Sequence, residues 1–259
     1  MSGERRAAGR HFLRSSALAA ELVRAAGIAS GELVLDLGAG TGALTAPLVR
    51  TAARVRAVEL DPRLAAHLRT RFDDVVCADA ASMRFPDEPF AVVANLPFAS
   101  GTAILRALLD DPRVPLTSAL VIVEWGLAVK RTAVWPSTRL SAAWGAWYEL
   151  TLERRLPRSV FAPPPSVDAA VLRIVRRPDP LVDARDAHAW HAFLGRAFAA
   201  DLIARVVTPR TLRRLALEHG FDPHARARDL DARQLAALFR IARRRRAERA
   251  RARPRASRR

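Results

Sequence analysis

The chain has 259 residues and a mass of 28.4 kDa, half of them hydrophobic, which suits one sizeable domain with a small appendage and excludes disorder throughout. Forty-three Lys+Arg against 26 Asp+Glu give a formal net charge of +17, directing attention to phosphate-rich partners, nucleic acid first. A single cysteine, Cys77, excludes an intramolecular disulfide and a multi-cysteine metal site. No apolar run approaches the roughly 18 residues of a membrane span, so no membrane partner is expected.

The arginine-rich start lacks the uninterrupted apolar segment of a secretion signal, and the reading is a cytoplasmic protein. Residues 1–14 form a basic arm. Apolar side chains at Leu18, Leu22, Val23 and Ala26 then predict a helix over 15–26. Glu32–Asp36 is a short apolar run that ends at a glycine cluster, followed by helical patterning from Ala43 to Thr51. The unit repeats, with strands at Val55–Glu59, Asp74–Asp79 and Phe90–Asn95, and helices near Pro62–Arg71 and from Gly101. Ser118–Glu124 is a fifth strand. Short apolar strands alternating with amphipathic helices predict an α/β fold with a mostly parallel sheet covered on both faces.

Four of these runs end in a polar residue: Asp36, Glu59, Asp79 and Asn95. Ligands of open α/β sheets bind beyond the carboxyl ends of the strands, so all four are expected on one rim. From Trp147 the pattern changes. Tyr148–Glu153 and Asp168–Val175 read as two strands joined by the proline-rich Phe161–Val167, a C-terminal hairpin closing the sheet edge. The predicted main domain spans residues 15–178. Beyond Pro180, helical segments near 186–200, 208–219 and 231–249 make a small all-helical domain over 179–242. Arg240–Arg259 holds eleven arginines and one glutamate, +10 of the +17, which leaves +7 on the other 239 residues. The body is therefore basic without its tail, and 243–259 reads as an Arg-rich disordered tail.

Asp36-Leu-Gly38-Ala-Gly40-Thr-Gly42 follows a strand and opens a helix, a context in which glycines let backbone approach a ligand closely. Glu59, at the end of the next strand, can accept bonds from both hydroxyls of a ribose. No Gly-x-x-x-x-Gly-Lys-Ser/Thr run is present, which counts against nucleotide hydrolysis. The ligand these features fit is S-adenosylmethionine, an adenosine without a pyrophosphate. Gly38 and Gly40 would pass its methionine part, Glu59 its ribose, and Asp79 its adenine amine.

Asn95-Leu96-Pro97-Phe98 is the most informative tetrapeptide. An exocyclic adenine amine is a poor nucleophile, because its lone pair is delocalised into the ring. It needs acceptors placed out of plane. The side-chain oxygen of Asn95 and the carbonyl of Leu96 could supply two, Pro97 stiffens the turn, and Phe98 offers a face for an extruded base.

At this point the chain resembles the rRNA adenine N6-methyltransferases, comprising the Erm-type 23S rRNA enzymes and the KsgA-type small-subunit dimethyltransferases. The match runs from Gly9-Arg-His-Phe-Leu13 through the glycine loop, Val58–Asp61, Asp79-Ala80 and Asn95–Phe98 to Phe161–Val167. It implies a Rossmann-like class I methyltransferase with S-adenosylmethionine as cofactor. It also implies that His11 and Leu13 edge the cofactor pocket, that Gly38 and Glu59 bind the cofactor, that Asp79 and Ala80 read its adenine, and that Asn95 touches cofactor and target amine. Trp125, Lys130-Arg131, Trp144-Gly-Ala-Trp147 and the arginine-rich extension resemble the Erm side. The activity so implied is mono- or dimethylation of one adenosine in the peptidyl-transferase loop of 23S rRNA, with resistance to macrolides, lincosamides and streptogramin B. Dimethylation of two adjacent small-subunit adenosines is the alternative, and a non-catalytic RNA-binding factor or a DNA adenine enzyme are further ones.

Arg10 stands where the family usually has Gln, a swap of an amide contact for a phosphate contact. Arg5, Arg6, Arg10 and Arg14 are expected at the pocket mouth on RNA phosphate, and Arg243, Arg244, Arg245 and Arg246 to add sequence-independent, salt-sensitive RNA affinity. The histidines show no metal-ligand spacing, and no metal is assigned. Cys77 reads as a small buried side chain, and Trp135, Trp144, Trp147 and Trp190 as packing residues. Nothing requires more than a monomer.

Overall fold

The computed structural model describes residues 11–51, 53–200, 203 and 208–252. Their contacts divide into two units. The first takes in the described residues up to Thr132 together with Tyr148–Pro178, and the second takes in Ala133–Trp147 and those from Asp179 onward.

The first unit opens with a two-residue strand, β1 (Phe12–Leu13), and a helix, α1 (Ser16–Ala26), whose N-terminus is capped by the Ser15 side chain accepting from Leu18 N. Strands β2 (Leu33–Leu37), β3 (Arg54–Glu59) and β4 (Val75–Cys77) alternate with helices α2 (Thr45–Val49) and α3 (Pro62–Arg69). They are followed by β5 (Phe90–Asn95), α4 (Gly101–Leu109), β6 (Leu116–Glu124) and α5 (Trp125–Thr132). The unit resumes with β7 (Tyr148–Leu156), β8 (Phe161–Ala162) and β9 (Ala169–Arg176).

Seven strands form one sheet in the order β4-β3-β2-β5-β6-β9-β7. The first five are parallel, β9 runs antiparallel to β6, and β7 antiparallel to β9. The chain winds outward from β2 to β4, then returns to lay β5 on the other side of β2. This switch point opens a crevice at the carboxyl ends of the strands. The mostly parallel sheet and its closing hairpin thus match the expectation. Continuous apolar runs such as Val34-Leu35 and Ala91-Val92-Val93 are fully buried, as strands covered on both faces require. The proline-rich segment does more than link the hairpin, because β8 pairs with β1, Phe12 opposite Ala162 and Leu13 opposite Phe161.

The second unit comprises α6 (Arg139–Gly145), α7 (Ala187–Ala200), α8 (Pro209–His219) and α9 (Ala232–Ala252). Its core is aromatic. Trp190 stacks on Phe193 at 5.9 Å between centroids and meets Phe239 edge-on at 5.3 Å. The buried indole N–H groups find carbonyls, Trp190 on Ala143 and Trp147 on Val182.

Four expectations change here. The helical unit also takes in 133–147, ahead of the hairpin, because Trp144 and Trp147 are buried with it. Helix α9 continues to Ala252, into the stretch expected to be a disordered tail; Ala and Arg are strong helix formers, and the first breaker is Pro254. Cys77 is exposed, since β4 is the outer edge of the sheet and is only partly covered. Trp135 is 61% exposed in the irregular stretch between α5 and α6, whereas Trp144, Trp147 and Trp190 are core residues as expected.

Candidate active site

The loop after β2 is shaped by where its neighbours leave room. Gly38 and Gly40 have φ of 74° and 59°, the left-handed region that side chains avoid. A Cβ on Gly38 would lie 3.1 Å from Pro97 Cδ, and one on Gly40 2.7 Å from a ring carbon of Phe12. The loop is therefore hemmed in by β1 and by the turn after β5. Its amides at Gly38 and Ala39 both donate to Val58 O, at 2.8 and 3.0 Å, tying it to β3.

Glu59 ends β3 and is buried. Its Oε2 accepts from Gly40 N at 2.8 Å and its Oε1 from Asp61 N at 2.9 Å. The second bond is set up by the sequence that follows: Asp61 caps α3 by accepting from Arg63 N, and Pro62 occupies the first turn. Each carboxylate oxygen keeps a further acceptor direction, so Glu59 braces the loop and can still receive a hydroxyl. Asp79 follows β4 and is exposed; its Oδ1 accepts from Ala81 N, and its Oδ2 makes no bond among the described residues.

Asn95 is the last residue of β5, and its Nδ2 donates to His11 O at 2.7 Å. A carbonyl only accepts, so this contact fixes which way the amide faces. Asn95 Oδ1 is buried and has no hydrogen-bond partner among the described residues. Leaving a buried acceptor unsatisfied costs about 1–3 kcal/mol, which marks the place where a donor from outside the chain belongs. His11 Nδ1 lies 2.9 Å from Pro163 O, so this nitrogen carries the proton. The ring of Phe98 stands 5.3 Å from that of His11 and meets Phe161 edge-on at 6.2 Å.

These groups surround one cavity of about 200 Å³, lined among others by His11, Gly38, Gly40, Glu59, Asp79, Ala80 and the whole of Asn95–Phe98. Of the residues expected to bind the cofactor or act on the amine, all line the cavity except Leu13. Successive strand residues face opposite ways, so Phe12 lines the cavity while Leu13 packs into the core with Leu22, Val34 and Phe161. Leu60, Ala78, Ala99, Ser100 and Ile104 complete the lining; Leu60 falls within the Val58–Asp61 match but was given no role, and no motif singled out the other four.

Asp36 does not reach the rim. It lies within β2, 1% exposed, where its Oδ2 accepts from Thr45 Oγ1 at 2.7 Å. Burial pushes its carboxyl up to about 7; the Thr45 hydroxyl opposes this and the nearby charge of Glu59 reinforces it. Of the expected RNA contacts, Arg14 is exposed and lines a groove with Arg158 and Ser166. Arg243 is ion-paired with Asp186, and Arg244 is exposed. Arg5, Arg6 and Arg10 lie outside the described residues, as do the side chains of Arg245 and Arg246. No helix of the described residues is long and apolar enough to cross a membrane.

The family model for ribosomal RNA adenine dimethylases matches residues 1–242. The chain is 36% identical over 249 residues to the mycinamicin-resistance protein MyrB of Micromonospora griseorubida, covering 92% of this chain and 79% of that one. It is 34% identical over 196 residues to an rRNA adenine N-6-methyltransferase of Corynebacterium diphtheriae, covering 74% and 76%. Among solved structures, the 23S rRNA methyltransferase ErmE superposes with a TM-score of 0.77 at 28% identity, covering 88% of this chain and 98% of that one.

Proposed function

The chain belongs to the ribosomal RNA adenine dimethylase family, and from that premise we propose that it methylates N6 of a single adenosine in the peptidyl-transferase loop of 23S rRNA, with S-adenosylmethionine as donor. One or two methyl groups are added, and the product confers resistance to macrolides, lincosamides and streptogramin B. The protein acts in the cytoplasm, as a monomer.

One observation carries this reading: the buried, unpaired Oδ1 of Asn95 beside the ring of Phe98, in a cavity whose other polar groups suit an adenosine. The cavity fits the cofactor. Glu59 presents acceptors to ribose hydroxyls while holding the glycine loop, Asp79 Oδ2 accepts from the adenine amine, and Ala80 leaves room for the base. Gly38 and Gly40 supply bare backbone where any side chain would collide with Pro97 or Phe12. When bound, S-adenosylmethionine supplies an electrophilic methyl group on a sulfonium.

The remaining work falls to Asn95–Phe98. Phe98 stacks the extruded base, with His11 and Phe161 fixing the ring's tilt. Asn95 Oδ1 and the Leu96 carbonyl accept from the amine and pull its nitrogen toward tetrahedral geometry, freeing the lone pair. Pro97, held against Gly38, keeps that carbonyl in place. The nitrogen becomes cationic on alkylation and releases its proton readily, so no strong base is needed.

The test is transfer from radiolabelled S-adenosylmethionine to protein-free 23S rRNA and, in parallel, to immature small ribosomal subunits, with primer extension to locate the product. A stop at one adenosine of the peptidyl-transferase loop is expected. Label on small subunits alone would assign the chain to the small-subunit branch of the family, and label on neither would remove the enzymatic reading.

A further inference from the structure

A second concavity lies beside the active cavity in the same unit. It is an open groove of about 660 Å³ lined by Arg14, Arg158, Ser159, Phe161, Pro164 and Ser166. Two features set it apart from the basic surface around it. The arginines on and beside the neighbouring strands are already engaged: Arg154 pairs with Glu21, Arg155 with Asp168, Arg173 with Glu153 and Arg177 with Glu149, and Arg176 donates to backbone carbonyls and the Tyr148 hydroxyl. The guanidinium groups of Arg14 and Arg158 make no hydrogen bond or ion pair among the described residues, and neither do the hydroxyls of Ser159 and Ser166. The carboxylate of Asp168, on which the charge of Arg158 acts from a distance, is hydrogen-bonded by the Arg155 side chain and by the backbone N–H of Arg158, not by its guanidinium.

The groove is also joined to the cavity through rigid contacts. Arg14 N donates to Val160 O at 2.9 Å, and His11 Nδ1 to Pro163 O, so the segment carrying the groove is pinned to the segment that edges the cavity. Phe161 lines the groove while its ring meets Phe98 edge-on. Phe161 thus stands between the face of Phe98 that would stack an extruded base and the groove, which places the groove within reach of the strand carrying that base. The backbone of that strand carries one negative charge per linkage. Two guanidiniums and two hydroxyls that make no hydrogen bond among the described residues form a donor set there for a single phosphodiester.

We propose that this groove seats the phosphodiester immediately beside the target adenosine, with Arg14 and Arg158 as its charged donors and Ser159 and Ser166 as neutral ones. It rests on the reading of the cavity as an RNA adenine site, and it assigns Arg158, Ser159 and Ser166 a positioning role. By clamping the flanking linkage, the groove sets where the extruded base can reach, rather than adding diffuse attraction.

The experiment uses the full chain and a 23S rRNA fragment carrying the peptidyl-transferase loop, in which each linkage near the target is neutralised in turn as a methylphosphonate. In the unaltered protein, one linkage flanking the target adenosine should weaken binding about tenfold when neutralised, the scale of one lost charge-assisted contact. In the Arg14→Gln/Arg158→Gln variant the same neutralisation should cost nothing further. The slope of log affinity against log salt should be shallower by roughly 0.7, one single-stranded phosphate contact. Affinity for S-adenosylmethionine, measured in parallel, reports that the variant is folded. Equal sensitivity of both proteins at every flanking linkage would overturn the groove assignment while transfer to the unmodified fragment upheld the adenine reading. Absence of transfer to that fragment by the unaltered protein would overturn both.

Discussion

The rim of the sheet and the helical unit use their polar and aromatic groups in opposite ways. At the rim, Asn95 and Asp79 each spend one atom on the protein and keep another for the cavity, while Glu59 accepts backbone N–H groups at both oxygens and keeps only their further lone pairs. Asn95 bonds His11 through Nδ2 and leaves Oδ1, and Asp79 bonds Ala81 through Oδ1 and leaves Oδ2. In the helical unit, Trp147 and Trp190 bury their rings and satisfy their N–H groups on carbonyls of the same unit. Half-satisfied groups mark chemistry, and fully satisfied ones mark stability. The contrast tells which substitutions should alter rate and which should alter only folding.

The largest effect is expected at Asn95. Asn95→Ala removes the acceptor and should lower single-turnover transfer by about 10²–10³-fold, the cost of deleting one preorganised hydrogen-bonding group, while weakened cofactor binding survives. Near-normal turnover would break the contrast at its strongest point. Trp144→Ala is the opposite case, and should cost about 3–5 kcal/mol of stability by urea denaturation without changing cofactor affinity in the folded protein. A loss of cofactor affinity at full foldedness would show that the two regions are not separable in this way.

Glu59→Ala is intermediate, because this carboxylate both braces the loop and faces the cavity. We expect a rise in the S-adenosylmethionine dissociation constant of roughly 10²-fold by calorimetry, the sum of a lost charged contact and a loosened loop. Glu59→Gln should recover part of it, since one oxygen can still accept from Gly40 N.

Per pH unit the effect is smallest at Asp36, a polar group of the sheet that is satisfied and buried. Its carboxyl is raised from 3.8 to about 7, so between these values the folded chain holds a proton that the unfolded chain has released. Stability should therefore fall as pH rises through that window, by at most about 1.4 kcal/mol per pH unit. Asp36→Asn, which can still accept from Thr45, should flatten the slope, as read from urea midpoints at several pH values. A slope unchanged in the variant would assign the pH dependence elsewhere.

Much of this was legible in the sequence because the relevant rules are local. The strand at Phe90–Asn95 and the helix from Gly101 follow from apolar runs and breakers, and their observed bounds agree. The glycine loop, Glu59 and the tetrapeptide after β5 follow from the chemistry each residue type can do at a strand end. What escaped depends on partners distant in the chain. The pairing of β1 with β8 puts Phe12 rather than Leu13 at the cavity, and no periodicity in a two-residue strand could show it. Asp36 looked like a strand-end carboxylate, but the strand continues to Leu37 and Thr45 is its partner. The boundary of the helical unit was misplaced because Trp144 and Trp147 pack on residues beyond the hairpin.

The most direct measurement is a crystal structure of the full chain with S-adenosylhomocysteine and adenosine, read for the distance between Asn95 Oδ1 and the N6 of the adenosine. A hydrogen bond of about 3 Å from that amine to Oδ1 is expected, with the base against Phe98 and the cofactor ribose on Glu59. Adenosine bound in the cavity with Oδ1 left unpaired, or satisfied by another group of the chain, would contradict it.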